Sequence, residues 1–129
     1  MNPVMLSKWA ARLMVAISVL HIIVFLPHPY WSEWLSGGLR NGTASDDSLA
    51  IFWALPGGFA VIGFLLGMLV GRLANEGKPA PAYVGWTLLA WAVGCVALIG
   101  PSGFVLGIVP AVMLIAASLV DGASRRVNV

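Results

Sequence analysis

The chain has 129 residues, 60% of them hydrophobic and only 9% charged. An average soluble domain carries about 25% charged residues, so this composition excludes an ordinary water-soluble protein, and the length suits one domain. A formal net charge of +2, with no basic run and no basic–aromatic interleaving, excludes a nucleic-acid-binding surface.

A helix that crosses the bilayer core needs roughly 20 predominantly apolar residues. Four stretches meet that requirement, at about residues 9–27, 49–71, 83–100 and 103–120. In lipid every backbone polar group must be bonded internally, so each stretch has to be a helix. The expected fold is therefore all-α, a four-transmembrane-helix antiparallel bundle. Lys8 and Arg12 ahead of the first apolar run imitate a signal peptide. No small-x-small cleavage site follows, because the chain continues Phe25-Leu26-Pro27-His28-Pro29-Tyr30, and the segment reads as a retained anchor.

The first loop, about residues 28–48, is long for so small a chain, and long loops commonly carry function or structure of their own. Tyr30-Trp31-Ser32-Glu33-Trp34-Leu35 places aromatics at helical spacing, which predicts a short interfacial helix ended by Gly37-Gly38. Ser45 is placed to cap the second span, with Asp46 and Asp47 in its first turn where negative charge suits the helix dipole. Pro56, followed by Gly57-Gly58, predicts a kink in that span, and Pro110 a bend in the fourth.

The second loop (Asn75-Glu76-Gly77-Lys78-Pro79) and the third (Pro101-Ser102) are short, which predicts that the helices they join pack side by side. Lys8, Arg12, Arg72, Lys78, Arg125 and Arg126 fall on one side of this topology and only Arg40 on the other. The positive-inside rule then makes both termini cytoplasmic.

Gly63, Gly67 and Gly71 form a GxxxGxxxG face on which two helix backbones can approach closely. The partner is either a helix of the same chain or a second copy; Ala90 with Gly94, and Gly103 with Gly107, offer opposing small faces. His21 lies deep in the first span, where an ionisable residue is costly and marks a functional hypothesis. A neutral histidine bonded to a backbone carbonyl or a serine explains it equally well. Glu33, Asp46 and Asp47, with His21 and His28, are the acid–base groups of the outer side, but Asp46 and Asp47 already serve the helix start.

Trp9, Trp31, Trp34 and Trp53 fall near span ends, where indoles anchor at headgroups; Trp86 and Trp91 lie within the third span, where packing is the default and a lipophilic pocket the alternative. Candidate pocket residues are thus His21, Trp31, Glu33, Trp34, Asp46 and Trp53. Cys95 is the only cysteine, which excludes disulfides and CxxC sites within the chain. No spacing matches a metal, nucleophile or phosphate motif, so neither metal nor cofactor is expected.

Ile51-Phe52-Trp53-Ala54-Leu55-Pro56-Gly57-Gly58-Phe59-Ala60, Pro81-Ala82-Tyr83-Val84-Gly85-Trp86-Thr87-Leu88-Leu89-Ala90-Trp91 and Pro101-Ser102-Gly103-Phe104, with Ala10-Ala11-Arg12-Leu13-Met14 leading to His21, cover nearly the whole chain. Together they resemble an uncharacterised family of small four-helix bacterial integral membrane proteins, a domain of unknown function. The resemblance implies four spans in a bacterial inner membrane and assigns no catalytic residue. Within that frame the leading expectation is a non-enzymatic accessory or interaction subunit, whose partners are membrane lipids and another membrane subunit or a copy of itself. The alternative is a binder or transporter of a lipophilic small molecule, with its pocket open to the outer leaflet. A membrane enzyme acting on a lipid or isoprenoid, with His21 and Glu33 or Asp46 as its acid–base pair, comes third.

Overall fold

The computed structural model describes residues 2–100 and 102–127; the Arg125 and Val127 side chains are not described. Pro101 of the third loop, and the Arg125 charge counted above, therefore lie outside the described residues. All the regular structure described is helical, and four stretches are long and apolar enough to cross a membrane: Pro3–Phe25, Asp46–Asn75, Ala82–Ile99 and Phe104–Ser124.

Helix α1 (Pro3–Phe25) starts from Asn2, whose Oδ1 accepts the backbone N–H groups of Val4 (2.9 Å) and Met5 (3.3 Å). Pro3 takes the first helical position, where its missing N–H leaves nothing unbonded. Helix α2 (Tyr30–Leu35) lies in the first loop and closes on Gly37, at φ +93°. There the Gly38 N–H donates to the Glu33 carbonyl at 2.9 Å and the Gly37 N–H to the Trp34 carbonyl at 3.1 Å. That paired return is the Schellman geometry that a left-handed glycine permits. Ser45 caps the next helix, its hydroxyl accepting the Ser48 N–H at 3.2 Å.

The second span departs from its expected form. It is two helices, α3 (Asp46–Ala54) and α4 (Phe59–Asn75), and the kink expected at Pro56 is a complete break. Pro56 cannot donate a backbone hydrogen bond, and the Gly57 N–H reaches back five residues to the Phe52 carbonyl at 2.9 Å. Both glycines are needed for space. A Cβ on Gly57 would lie 2.5 Å from the Phe52 ring, and one on Gly58 2.8 Å from the Trp53 carbonyl oxygen.

The α4 C-terminus is a second Schellman turn: Gly77 has φ +75°, Lys78 N–H donates to the Leu73 carbonyl (3.0 Å) and Gly77 N–H to the Ala74 carbonyl (3.2 Å). Helix α5 (Ala82–Ile99) follows, then α6 (Phe104–Val127). Pro110 is fully buried inside α6, and the helix runs through it unbroken.

Helix α1 is central, packing on α4 on one side and on α6 on the other, while α5 packs on α6. On α4, the positions of Gly63, Gly67 and Gly71 face Ser18, then Met14 and Val15, then Ala11 of α1; the numbers fall on one helix as they rise on the other, so the two run antiparallel. Gly85 against Leu114 and Ile115, and Gly107 against Ala92, give α5 and α6 the same relation. Of the other small residues expected to oppose them, neither Gly94 nor Gly103 has another element within 4 Å of where a Cβ would be. Ala10, Ala11, Met14, Val70, Ala80 and Leu114 form the buried core, with Leu66, Val84, Leu88 and Met113 packed against it.

The expectation that a short loop makes neighbours fails for α4 and α5. They are joined by residues 76–81 yet are not a closely packed pair. The reason is the placement of small residues. Gly67 and Gly71 of α4 are turned to α1 and Gly85 of α5 to α6, where backbones can close up, while Phe59, Leu66, Leu88 and Trp91 stand between α4 and α5.

Candidate functional site

Separation of α4 from α5 leaves a cleft of about 490 Å³. Its α4 wall is Phe59, Ile62, Gly63 and Leu66; its α5 wall is Tyr83, Val84, Thr87, Leu88 and Trp91; Met14 of α1 forms the back. Met14 is buried and belongs to the core. One end is closed by aromatic rings. Phe59 meets Trp91 at 5.2 Å between centroids, and Phe104 packs on both, at 5.7 Å from Phe59 and 5.1 Å from Trp91. Such offset and edge-to-face ring pairs are favourable beyond their buried area.

Toward the other end, one turn of α5 presents the Tyr83 and Thr87 side chains. Among the described residues the lining holds no charged side chain. At 1.5 Å rise per residue, the eight steps from Tyr83 to Trp91 give the cleft a height of about 12 Å. A hydrocarbon core is about 30 Å thick, so the cleft occupies less than half of it.

The residues singled out from sequence are distributed elsewhere. His21 sits between Phe25 and Phe59, at 5.4 Å from each ring, and lines a separate small cavity of about 300 Å³ with Ser102 and Phe104. The Ser102 hydroxyl is buried there without a hydrogen-bond partner. Trp31 and Trp34 both act as ties in the first loop. The Trp31 indole N–H donates to the Phe25 carbonyl at 2.9 Å, which also accepts the His28 backbone N–H at 3.0 Å. The Trp34 N–H donates to Ser48 Oγ at 3.0 Å, and the Ser48 hydroxyl donates to Glu33 Oε2 at 2.7 Å.

Ser48 is fully buried, so Glu33 and Trp34 clamp α2 onto the first turn of α3. Asp46 is exposed in that turn, and Trp53 is 59% exposed. Rings connect these places: His21 to Phe25, Phe25 to His28 (6.4 Å), His28 to Tyr30 (4.2 Å), Tyr30 to Trp34 (6.4 Å), and Trp34 to Phe52 (5.5 Å). The chain of rings joins the first loop to the aromatic end of the cleft through Phe59; of His21, Trp31, Glu33, Trp34, Asp46 and Trp53, His21 alone lines either of these two cavities. Among the described residues, no group of three or more His, Cys, Asp or Glu could hold a metal ion.

The cleft lining escaped the sequence reading because Ile62, Leu66, Val84 and Leu88 are apolar residues in apolar spans, like any lipid-facing residue. Trp91 was the one available signal.

Among the described residues, four helices long and apolar enough to cross a membrane, with an apolar cleft between two of them, point to the class of helical membrane proteins. Residues 5–121 match a family described as a family of unknown function (DUF6463), and the chain belongs to that family. No curated protein and no solved structure matches it.

Proposed function

We propose that this protein is a non-enzymatic, multi-pass protein of the bacterial inner membrane that binds one lipophilic molecule in the α4–α5 cleft. Its four spans form an antiparallel bundle with both termini cytoplasmic, and α2 lies in the outer interface. The observation that carries the reading is a cleft of about 490 Å³ backed by the core residue Met14 and lined by no charge, within the ~300–1,000 Å³ range of small-molecule sites.

The occupant follows from the shape and the solvent. Lipid tails are as apolar as leucine, so an apolar molecule gains no hydrophobic free energy on leaving the bilayer for the cleft. Affinity then comes from close dispersion contact with the fixed walls and from polar contacts. Hydroxyls at Tyr83 and Thr87, in a lining that holds no charged side chain, suit an apolar chain with one neutral polar terminus. A cleft of less than half the bilayer thickness, stopped by Phe59 and Trp91, is too short to seat a spanning helix of a partner subunit, which favours the small-molecule reading over the accessory-subunit one.

Native mass spectrometry of the protein, extracted gently from its host membrane, tests this. A lipophilic adduct is expected on the wild type and should be lost from Thr87→Trp, whose indole fills the cleft. A bare chain, or an adduct that Thr87→Trp retains, refutes the reading. Co-extraction of another polypeptide in fixed stoichiometry would replace it with the accessory-subunit reading.

A further inference from the structure

A second groove runs along the other flank of the α1–α4 pair, with a volume of about 760 Å³. Its two halves differ in chemistry. Toward mid-span it is floored by small and apolar side chains, among them Val15, Ala16 and Met68; toward the chain's basic end it is bordered by Lys8, Arg12 and Arg72. We propose that this groove is a binding site for an anionic phospholipid of the leaflet on the basic side, with the phosphate held by Lys8, Arg12 and Arg72 and an acyl chain lying along the apolar half.

Charge complementarity commits the groove to that occupant. The three cations border it with a single acid, Glu76, which is already shared between Arg72 at 3.2 Å and Lys78 at 3.6 Å. Among the described residues neither Lys8 nor Arg12 has an ion-pair partner. The Arg12 guanidinium stands 4.9 Å from the centre of the Trp9 ring, a contact with the ring face that leaves its N–H groups open to an anion. Lys8 and Arg12 are one helical turn apart and share a face.

Across from them, the pairing of Ala11 with Gly71 sets Arg72 at the same level. Basic pockets between transmembrane helices on the side of positive loops are the usual place for acidic headgroups. A zwitterionic lipid would bring its own cation among these three. A free phosphate would leave the apolar half unfilled. The site shares no cation with the α4–α5 cleft, so it stands or falls independently of the function proposed above.

The test is lipid retention by the full chain in native mass spectrometry, after exchange into phosphatidylglycerol or phosphatidylcholine of identical acyl composition. Wild type should retain phosphatidylglycerol preferentially. Each basic residue near a membrane surface is worth about a factor of five in binding, so Arg12→Gln with Arg72→Gln should reduce the preference by about 25-fold. Ala16→Phe, which blocks the apolar half and removes no charge, should also lower phosphatidylglycerol retention. Lys78→Gln, outside the groove, should lower the preference far less than the double variant does. The proposal is overturned if both lipids are retained equally or if the double variant keeps its preference. It is also overturned if Lys78→Gln loses as much as the double variant, or if inorganic phosphate alone displaces the lipid. Thermal melting in phosphatidylcholine confirms that the variants are folded.

Discussion

Replacement of two glycines on one helix face by alanine should have opposite signs. At Gly67 a Cβ would stand 2.9 Å from Val15 Cγ2 and 3.1 Å from both Met14 Cβ and the Val15 backbone nitrogen. Carbon atoms pack at about 3.5–4.0 Å, so the contact is short by at least about half an ångström against Val15 Cγ2 and by a few tenths against Met14 Cβ and the Val15 nitrogen. The backbone nitrogen cannot rotate aside, and Met14 is held in the core. The helices must separate, and overpacking of this kind costs about 1–3 kcal/mol. At Gly71, one turn on, the nearest atom would be Ala11 Cβ at 3.5 Å, ordinary contact. There the alanine clashes with nothing, while glycine in a helix interior is worse than alanine by about 0.5–1 kcal/mol.

Gly67→Ala should therefore lower stability by about 1–3 kcal/mol, and Gly71→Ala should raise it by up to about 1 kcal/mol. Gly63→Ala falls between them, because its Cβ meets the Ser18 hydroxyl at 2.7 Å, the end of a side chain that can turn away. The assay is reversible unfolding in mixed micelles, followed by tryptophan emission, for all three variants and the wild type. Equal stability of Gly67→Ala and Gly71→Ala would refute the α1–α4 register. A change in oligomeric state without a change in unfolding would instead place this face between chains.

Ser48→Ala removes both bonds of the Trp34–Ser48–Glu33 clamp, leaves the half-buried Trp34 N–H and Glu33 carboxylate without that partner, and should cost about 1–3 kcal/mol, the range for losing a neutral and a charge-assisted hydrogen bond. A double-mutant cycle with Glu33→Gln should give a coupling of at least about 0.5 kcal/mol, and strict additivity would show that the clamp is not formed. Gly57→Ala drives a methyl against the Phe52 ring and carbonyl, so Asp46–Ala54 should lose protection in hydrogen exchange while α1 keeps its own. Protection unchanged across both segments would mean that the break tolerates a side chain. Gly85→Ala brings a Cβ to 2.9 Å from the Ile115 backbone nitrogen and should destabilise the α5–α6 pair by about 1–3 kcal/mol, read from the same micelle unfolding; a wild-type midpoint would contradict that close approach.

What the sequence made legible is what local physics decides. Four long apolar runs permit only helices in a membrane, and the two turn glycines, Gly37 and Gly77, lie where left-handed caps need them. Ser45 and the acidic pair after it mark the start of α3. Pro56 marked the fault in the second span, but its extent depended on two close approaches, Gly57 on Phe52 and Gly58 on Trp53, that no spacing rule reveals. The site was less legible still. Glu33 has the composition of a solvated acid between two tryptophans, and only the fold brings Ser48 beneath it, fifteen residues away. His21 is the conspicuous residue by cost in a membrane, yet the α4–α5 cleft is lined by residues that resemble lipid-facing ones.

The cleft follows from how small residues are shared among helices in a solvent that gives apolar surfaces no reason to meet. In water, the Leu66, Leu88 and Trp91 surfaces would be driven together and α4 would close on α5. In lipid, closure is decided by how near the backbones can come. Gly67 on α4 and Gly85 on α5 are turned to α1 and α6, so the short loop holds α4 and α5 together at one end without closing the space between them. A bundle built this way keeps an opening whose walls are fixed by packing elsewhere. Filling it with the Thr87→Trp indole should therefore remove the ligand while leaving the unfolding midpoint within about 0.5 kcal/mol of wild type, as expected at a site outside the packed core. A large loss of stability in that variant would show that α4 and α5 do close on one another in the membrane, and the cleft would then have no occupant.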